Sequence, residues 1–211
     1  MGVLKSKKEL AILASLFVLS FIPVVGGTFR VFEIVGGPVG LPDNPRISND
    51  PLPALLHVFG AVPFCILGAF QFLPSIRQHT PERHRFNGRI VALTGILSAV
   101  SGLWMTHYYA LPIELQGNLL YTVRMVLGIA MVVFIVLGVV AIKTRHIPMH
   151  GASMLRAYAI GQGAGTQSLI GITWIVFFGE EASGITRDVM MTLAWVINLG
   201  VAEWVIRKTS W

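Results

Sequence analysis

Long apolar runs separated by short polar segments dominate this sequence. A helix needs about 20 apolar residues to cross the hydrocarbon core of a bilayer. Six windows reach that length, at about residues 9–29, 54–76, 88–109, 118–142, 155–178 and 188–206. None shows the period-two alternation that is typical of strands in a membrane barrel. The pattern therefore predicts an all-α, polytopic membrane protein with six transmembrane helices, which are called predicted helices one to six below.

The composition agrees with a surface that faces lipid. Hydrophobic residues make up 54% of the 211 positions and charged residues only 12%, whereas a soluble domain carries about a quarter charged residues. No stretch has the composition of a second, soluble domain. We expect a single transmembrane domain over residues 1–211, with the lipid bilayer as its first partner.

The basic residues predict an orientation and argue against a nucleic-acid partner. The net charge is +6, but Lys and Arg lie in short segments between apolar runs, where no single basic face results. With the N-terminus inside, twelve of them fall in cytoplasmic segments: Lys5, Lys7, Lys8, Arg77, Arg83, Arg85, Arg89, Lys143, Arg145, Arg156, Arg207 and Lys208. Three fall outside: Arg30, Arg46 and Arg187. The positive-inside rule then predicts that both termini are cytoplasmic, as in a bacterial inner-membrane protein.

Small residues form a stripe on two of the predicted helices, with a spacing of four and three residues. On predicted helix three they are Gly88, Ala92, Gly95, Ala99 and Gly102, and on predicted helix five Ala157, Gly161, Ala164, Ser168 and Gly171. At about 100° per residue each set shares one face. Small residues let helix backbones approach closely in lipid. Helix packing alone explains such stripes, and a flat cofactor lying against them is the alternative.

Each stripe, continued towards the cytoplasmic side, reaches a histidine. His84 lies four residues before Gly88, and His150 lies seven before Ala157. Two histidines at the ends of two facing stripes could ligate one metal ion from opposite sides. The alternative is that both are interfacial residues beside arginines, solvated or bound to lipid phosphate.

Polar residues inside the apolar windows are further candidates, because burying them in lipid is costly. His57 and Gln71 share one face of predicted helix two, and His57 is either a metal ligand or a core histidine bonded to a carbonyl. Arg124 in predicted helix four must snorkel, pair with a carboxylate or meet an anionic ligand. Glu203 and Arg207, one turn apart, predict a local ion pair.

In this order and spacing, the residues resemble an uncharacterised family of bacterial membrane proteins, domain of unknown function 2306. The matching pieces are His57, Gly68-Ala69-Phe70-Gln71-Phe72, Arg77, His84-Arg85-x-x-Gly88-Arg89, Met149-His150 and Met154-x-Arg156-Ala157-Tyr158-Ala159. They span predicted helices two to five. The sequence departs from the family pattern after His150, where Gly151-Ala152-Ser153 stand instead of an aromatic residue. The family implies a multi-pass membrane protein and no established chemistry.

A four-helix core, predicted helices two to five, with histidines near both faces is also similar to b-type cytochromes of the cytochrome b561 kind. The resemblance implies haem b with His84 and His150 as axial ligands. His57 would serve a second haem, for which predicted helix four offers no histidine. Haem propionates would pair with nearby arginines, namely Arg85, Arg89 and Arg156.

Three functions stay open at this point. The first is an electron carrier that binds haem and works between a quinone and a redox partner. The second is a transporter or binder of a small molecule or ion, with a polar site at His57, Gln71 and Arg124. The third is a non-catalytic subunit of a homo-oligomer or a larger membrane complex. The sequence does not decide whether the protein is an enzyme.

Overall fold

The computed structural model describes residues 6–37 and 44–209, and within these ranges all regular structure is helical. The helices are α1 Lys7–Ile34, α2 Pro45–Asn49, α3 Pro51–Gln71, α4 Pro74–His79, α5 Pro81–Tyr108, α6 Asn118–Lys143, α7 Ile147–Gly161, α8 Gly163–Phe178 and α9 Gly184–Lys208. The prediction of an all-α fold is confirmed for this part of the chain. Lys5, counted above among the basic residues, lies outside the described residues.

Five helices in the described ranges are long and apolar enough to cross a membrane: α1, α3, α5, α6 and α9. The fifth apolar window is different. It was expected to form one continuous helix at 155–178, but it forms the end of α7 and all of α8, helices of 15 and 16 residues. The expectation of six uninterrupted spanning helices therefore needs correction at this window.

The break between α7 and α8 lies at Gln162, and side chains of α9 compensate for it. A break leaves backbone carbonyls without their helical partners, which is costly where no water is present. Trp195 donates its indole N–H to the carbonyl of Ile160 at 3.0 Å, and Asn198 donates its amide to the carbonyl of Ala159 at 3.2 Å. The interruption is stable because α9 supplies the missing hydrogen bonds.

Several helices begin earlier than the apolar windows. α3, α4 and α5 each have proline at one of their first two positions, where the missing N–H is no loss and the fixed φ suits a helix. The predicted second window, 54–76, ends as a helix at Gln71, and α4 follows as a separate short helix. The early starts place both His84 and His150 inside helices, α5 and α7 respectively.

The ring of Phe64, 1% exposed, is wedged between glycines of two other helices. A Cβ atom added to Gly95 of α5 would lie 2.6 Å from the ring, and one added to Gly161 of α7 would lie 2.5 Å from it. The small stripe of α5 thus packs against α3, with Ile135 of α6 also touching Gly95. The sequence suggested that the two stripes face each other directly, but the ring of Phe64 lies between them at Gly95 and Gly161. The second stripe is also interrupted after Gly161, and Gly171 has nothing within 4 Å.

Two buried carboxylates tie the terminal helices to the rest of the fold. Asp188 of α9 accepts hydrogen bonds from the backbone amides of Gly117 at 3.0 Å and Leu120 at 3.1 Å, at the start of α6. Glu9 of α1 accepts from the amide of Ser75 at 2.8 Å and from its hydroxyl, at the start of α4. Each carboxylate caps a helix that lacks a side-chain cap of its own.

Gly95→Ala should lower the free energy of unfolding by about 1–3 kcal/mol, the usual cost of overpacking a tight core. Its new methyl group would press on Phe64 and on Ile135. The matched control is Gly171→Ala, which adds the same group to open space. Thermal unfolding of the detergent-solubilised protein measures both, and equal midpoints would contradict the packing described here.

Asp188→Ala should destabilise the protein by about 1–3 kcal/mol, because the amides of Gly117 and Leu120 lose their acceptor. Hydrogen exchange at residues 117–120 should become faster while the thermal midpoint falls. Glu181→Ala, which removes an exposed carboxylate just before α9, serves as the control. Unchanged exchange at the start of α6 would show that Asp188 is not its cap.

Candidate functional site

A cavity of about 620 Å³ opens between one end of α3 and α6 and the beginning of α5 and α7. Its volume is within the range of small-molecule and cofactor sites, roughly 300–1,000 Å³. The polar and charged side chains that line it are Gln71, Arg77, His84, Arg85, Arg89, Lys143, His150 and Tyr158. We call it the His84–His150 cavity.

Two imidazoles from different helices line this cavity. His150 Nδ1 lies 2.8 Å from the carbonyl oxygen of Gly138. A carbonyl only accepts, so Nδ1 carries the hydrogen and Nε2 keeps its lone pair. His84 Nδ1 is buried and has no hydrogen-bond partner. Each imidazole therefore has a nitrogen that the described side chains leave without a partner.

Gln71 adds a third unsatisfied group on the same cavity. Its amide nitrogen is buried without a partner, while Gly88 faces its oxygen, which would lie 3.3 Å from an added Cβ. Buried polar atoms are nearly always paired in folded proteins, so an unpaired one calls for an explanation such as a bound group. The unpaired nitrogen atoms of Gln71 and His84 are therefore available to a ligand in this cavity.

The charged residues of this cavity are all cations. Arg77, Arg85, Arg89 and Lys143 line it, and no Asp or Glu is among its described lining residues. Like charges gathered beside a low-dielectric interior favour an anionic ligand group. The walls between them are largely apolar, which suits a ligand with a hydrophobic body and an acidic edge.

Arg156 does not belong to this cavity, although it was expected beside it. Its Nε and Nη2 atoms lie 2.5 and 3.0 Å from the carboxylate oxygens of Glu203, a bidentate pair that joins α7 to α9. The expected Glu203–Arg207 pair is therefore not the main contact of Glu203. The helical repeat predicts a partner four residues away in sequence, but the tertiary fold brings Arg156 of another helix closer to Glu203 in space.

A second cavity, of about 450 Å³, lies at the opposite ends of α3 and α5. We call it the Arg46–Arg124 cavity, since both guanidinium groups line it together with His57 and Gln162. The His57 Nδ1 atom lies 2.9 Å from the carbonyl oxygen of Ser98, which matches the core-histidine interpretation. His57 is the one imidazole among the described residues that line this cavity.

A hydrogen-bonded chain joins the two cavities at their boundary. The Gln162 amide donates to the Tyr158 hydroxyl at 2.8 Å, and that hydroxyl donates to the carbonyl of Cys65 at 2.8 Å. Ser20 of α1 binds the Gln162 side chain as well. Tyr158 lines the first cavity, and Gln162 and Cys65 line the second. Sequence reasoning missed Gln162, because its glycine-rich surroundings read as helix packing.

The structure thus sorts the candidate residues into three groups. It brings His84, His150 and Gln71 to one cavity with Arg85 and Arg89. It places His57 and Arg124 in the other cavity and binds Arg156 to Glu203. Across residues 6–37 and 44–209, no group of three or more His, Cys, Asp or Glu side chains is placed to hold a metal ion.

Comparison with known proteins gives one match. The family described as "Predicted membrane protein (DUF2306)" matches residues 54–206, which run from the beginning of α3 to the end of α9. α1 therefore lies outside the matched region, although it contributes to both the buried polar chain and the capping of α4. No curated protein and no solved structure matches the chain.

Tyr158→Phe should lower the free energy of unfolding by about 1 kcal/mol, since the ring keeps its place but the hydroxyl no longer serves Gln162 and Cys65. Tyr108→Phe removes a hydroxyl from a side chain that is 73% exposed and should change little. Thermal unfolding compares the two variants. A larger effect at Tyr108 would contradict the assigned chain.

Proposed function

The chain belongs to the DUF2306 family of membrane proteins, and we propose that it binds one haem b in the His84–His150 cavity as an electron-transfer protein. The observation that carries this proposal is the pair of imidazoles, contributed by α5 and α7, that line the same cavity. Haem iron needs only axial ligands from the protein, because the porphyrin supplies the rest. A pair of histidines is therefore a sufficient ligand set.

The hydrogen bond of His150 and the unpaired nitrogen of His84 support a role for both residues as haem ligands. The Gly138 carbonyl fixes the hydrogen on His150 Nδ1 and so leaves Nε2 for a metal. Histidine ligands commonly donate their other N–H to such an acceptor, which orients the ring and raises its basicity. His84, with a buried nitrogen that lacks a partner, would supply the second ligand.

The cationic lining supports the same ligand. Haem carries two propionates, and Arg77, Arg85, Arg89 and Lys143 would pair with them. Arg77 and Lys143 replace Arg156 in the set expected from sequence, since Arg156 is held by Glu203. The small residues Gly88 and Ala92 line the walls, whereas the space beside Gly68 is filled by the ring of Tyr158.

One haem fits these residues better than two. His57 lies in the other cavity, where no second imidazole is among the described lining residues. His107, near the end of α5 that borders this cavity, is hydrogen bonded to the hydroxyl of Tyr121 at 2.8 Å on an exposed surface. Bound haem would supply one-electron chemistry, and a membrane quinone or a redox protein would be the exchange partner.

The test is a reduced-minus-oxidised absorption spectrum of protein purified after expression with haem supplied. A b-type band is expected, with about one haem per chain by pyridine haemochrome. His84→Ala and His150→Ala should each lower the haem content at least about tenfold, because an axial ligand is lost. The control is His107→Ala, which removes an imidazole outside both cavities and should leave the b-type absorption band unchanged.

Two results would contradict the proposal. One is the absence of a b-type band in folded protein. The other is full haem content in both His84→Ala and His150→Ala, which would place any haem elsewhere.

A further inference from the structure

We propose that the Arg46–Arg124 cavity binds a small organic anion, a carboxylate with an apolar body. This site is separate from the haem site and does not depend on what occupies the His84–His150 cavity. The cavity extends from residues between the spanning helices, Asn44 and Tyr109, to Met131 and Gln162 at the level of the helix break.

Arg46 provides the first cationic group. It lies on α2, and its Nε atom donates to the side-chain oxygen of Asn44 at 3.1 Å. Its Nη1 atom is buried and has no hydrogen-bond partner. A buried guanidinium N–H without an acceptor destabilises the folded protein, and hydrogen bonding to a bound oxyanion would remove this penalty.

Arg124 provides the second cationic group, from α6 on another side of the cavity. Its Nη1 atom donates to the side-chain oxygen of Gln116 at 2.5 Å, which is a neutral acceptor. The neighbouring carboxylate of Asp188 is already occupied by the amides at the start of α6. The positive charge of Arg124 is thus held beside the cavity without a direct carboxylate partner among the described residues.

The balance of charge in the cavity points to an anion rather than a neutral ligand. Two guanidinium groups line it, and no Asp or Glu is among the lining residues that the structure describes. Planar, forked guanidinium groups match carboxylate geometry better than any other side chain. Most of the other lining residues, among them Val24, Leu103 and Met131, are apolar and suit a hydrophobic body.

His57 adds a feature of specificity. His57 lines the cavity, and because its Nδ1–H donates to the Ser98 carbonyl, its Nε2 atom keeps a lone pair and is an acceptor. A ligand hydroxyl or amide N–H could bind there. The polar site expected from sequence consisted of His57, Gln71 and Arg124. In the structure Gln71 lines the other cavity, and Arg46 joins His57 and Arg124 instead.

The experiment uses the full-length protein in lipid nanodiscs and isothermal titration with 2-naphthoate. The neutral, nearly isosteric 2-naphthamide is the matched ligand. We expect saturable binding of 2-naphthoate that is at least about tenfold tighter than binding of the amide, since a charge-assisted pair is lost with the amide.

Variants then locate the binding. Arg46→Gln and Arg124→Gln should each weaken 2-naphthoate at least about tenfold, while Arg207→Gln, the same charge change outside both cavities, should leave its affinity unchanged. Arg46 lies on α2, outside the spanning helices, so its variant keeps the test valid if Arg124→Gln fails to fold.

Three results would overturn the inference. Equal affinity for acid and amide would show an apolar cavity without charge recognition. Wild-type affinity in Arg46→Gln would remove the first cation from the site. If only Arg89→Gln weakened the binding of 2-naphthoate, the ligand would bind in the His84–His150 cavity instead. Haem content, measured in the same samples, reports separately on the haem proposal.

Discussion

The fit of Phe64 between Gly95 and Gly161 is the contact on which the arrangement of the core depends. In lipid, association of helices gains little from hydrophobic burial, so close packing has to supply the attraction. One aromatic ring in contact with two glycines holds α3, α5 and α7 together at a single level. Away from that level the helices are free to separate, and a cavity lies on each side. Phe64 lines one of them, and its neighbour Cys65 lines the other.

Hydrogen bonds between polar groups buried inside the helix bundle are the second feature that determines the fold. The break at Gln162 would be costly alone, but Trp195 and Asn198 of α9 satisfy the exposed carbonyls, and Ser20 of α1 satisfies the side chain. Gln162 also places its side-chain amide at the boundary of the two cavities. A helix interruption in a membrane protein is tolerated where it is buried in protein or lines a cavity, and both conditions hold here.

The positions of the helices could be predicted from sequence, but the contacts between them could not. Apolar length is a property of each segment alone, so the windows found the helices, while prolines such as Pro81 moved their starts outwards. Averaging over a window hid the break at Gln162 and the end of α3 at Gln71. Arg156 and Glu203 are 47 residues apart, and no local pattern encodes such a pair.

The candidate site shows the same division. His84 and His150 were identified because each lies at the end of a stripe of small residues. Both line one cavity, although Phe64 separates the two stripes. Arg46 was counted only as a surface charge. The role proposed for it depends on the position of α2 beside a cavity, which no repeat in the sequence predicts.

The carboxylate caps have a consequence for the order in which the protein is assembled. α6 is synthesised before Asp188, which follows Leu120 by 68 residues, so its first amides wait for an acceptor while the chain is still growing. Glu9 waits likewise, because Ser75 follows it by 66 residues. The bond between Glu9 and Ser75 can form as soon as α4 has been made, whereas the start of α6 stays uncapped until α9 is synthesised. A ribosome-bound intermediate arrested before α9 would retain the Phe64 contact but expose the beginning of α6.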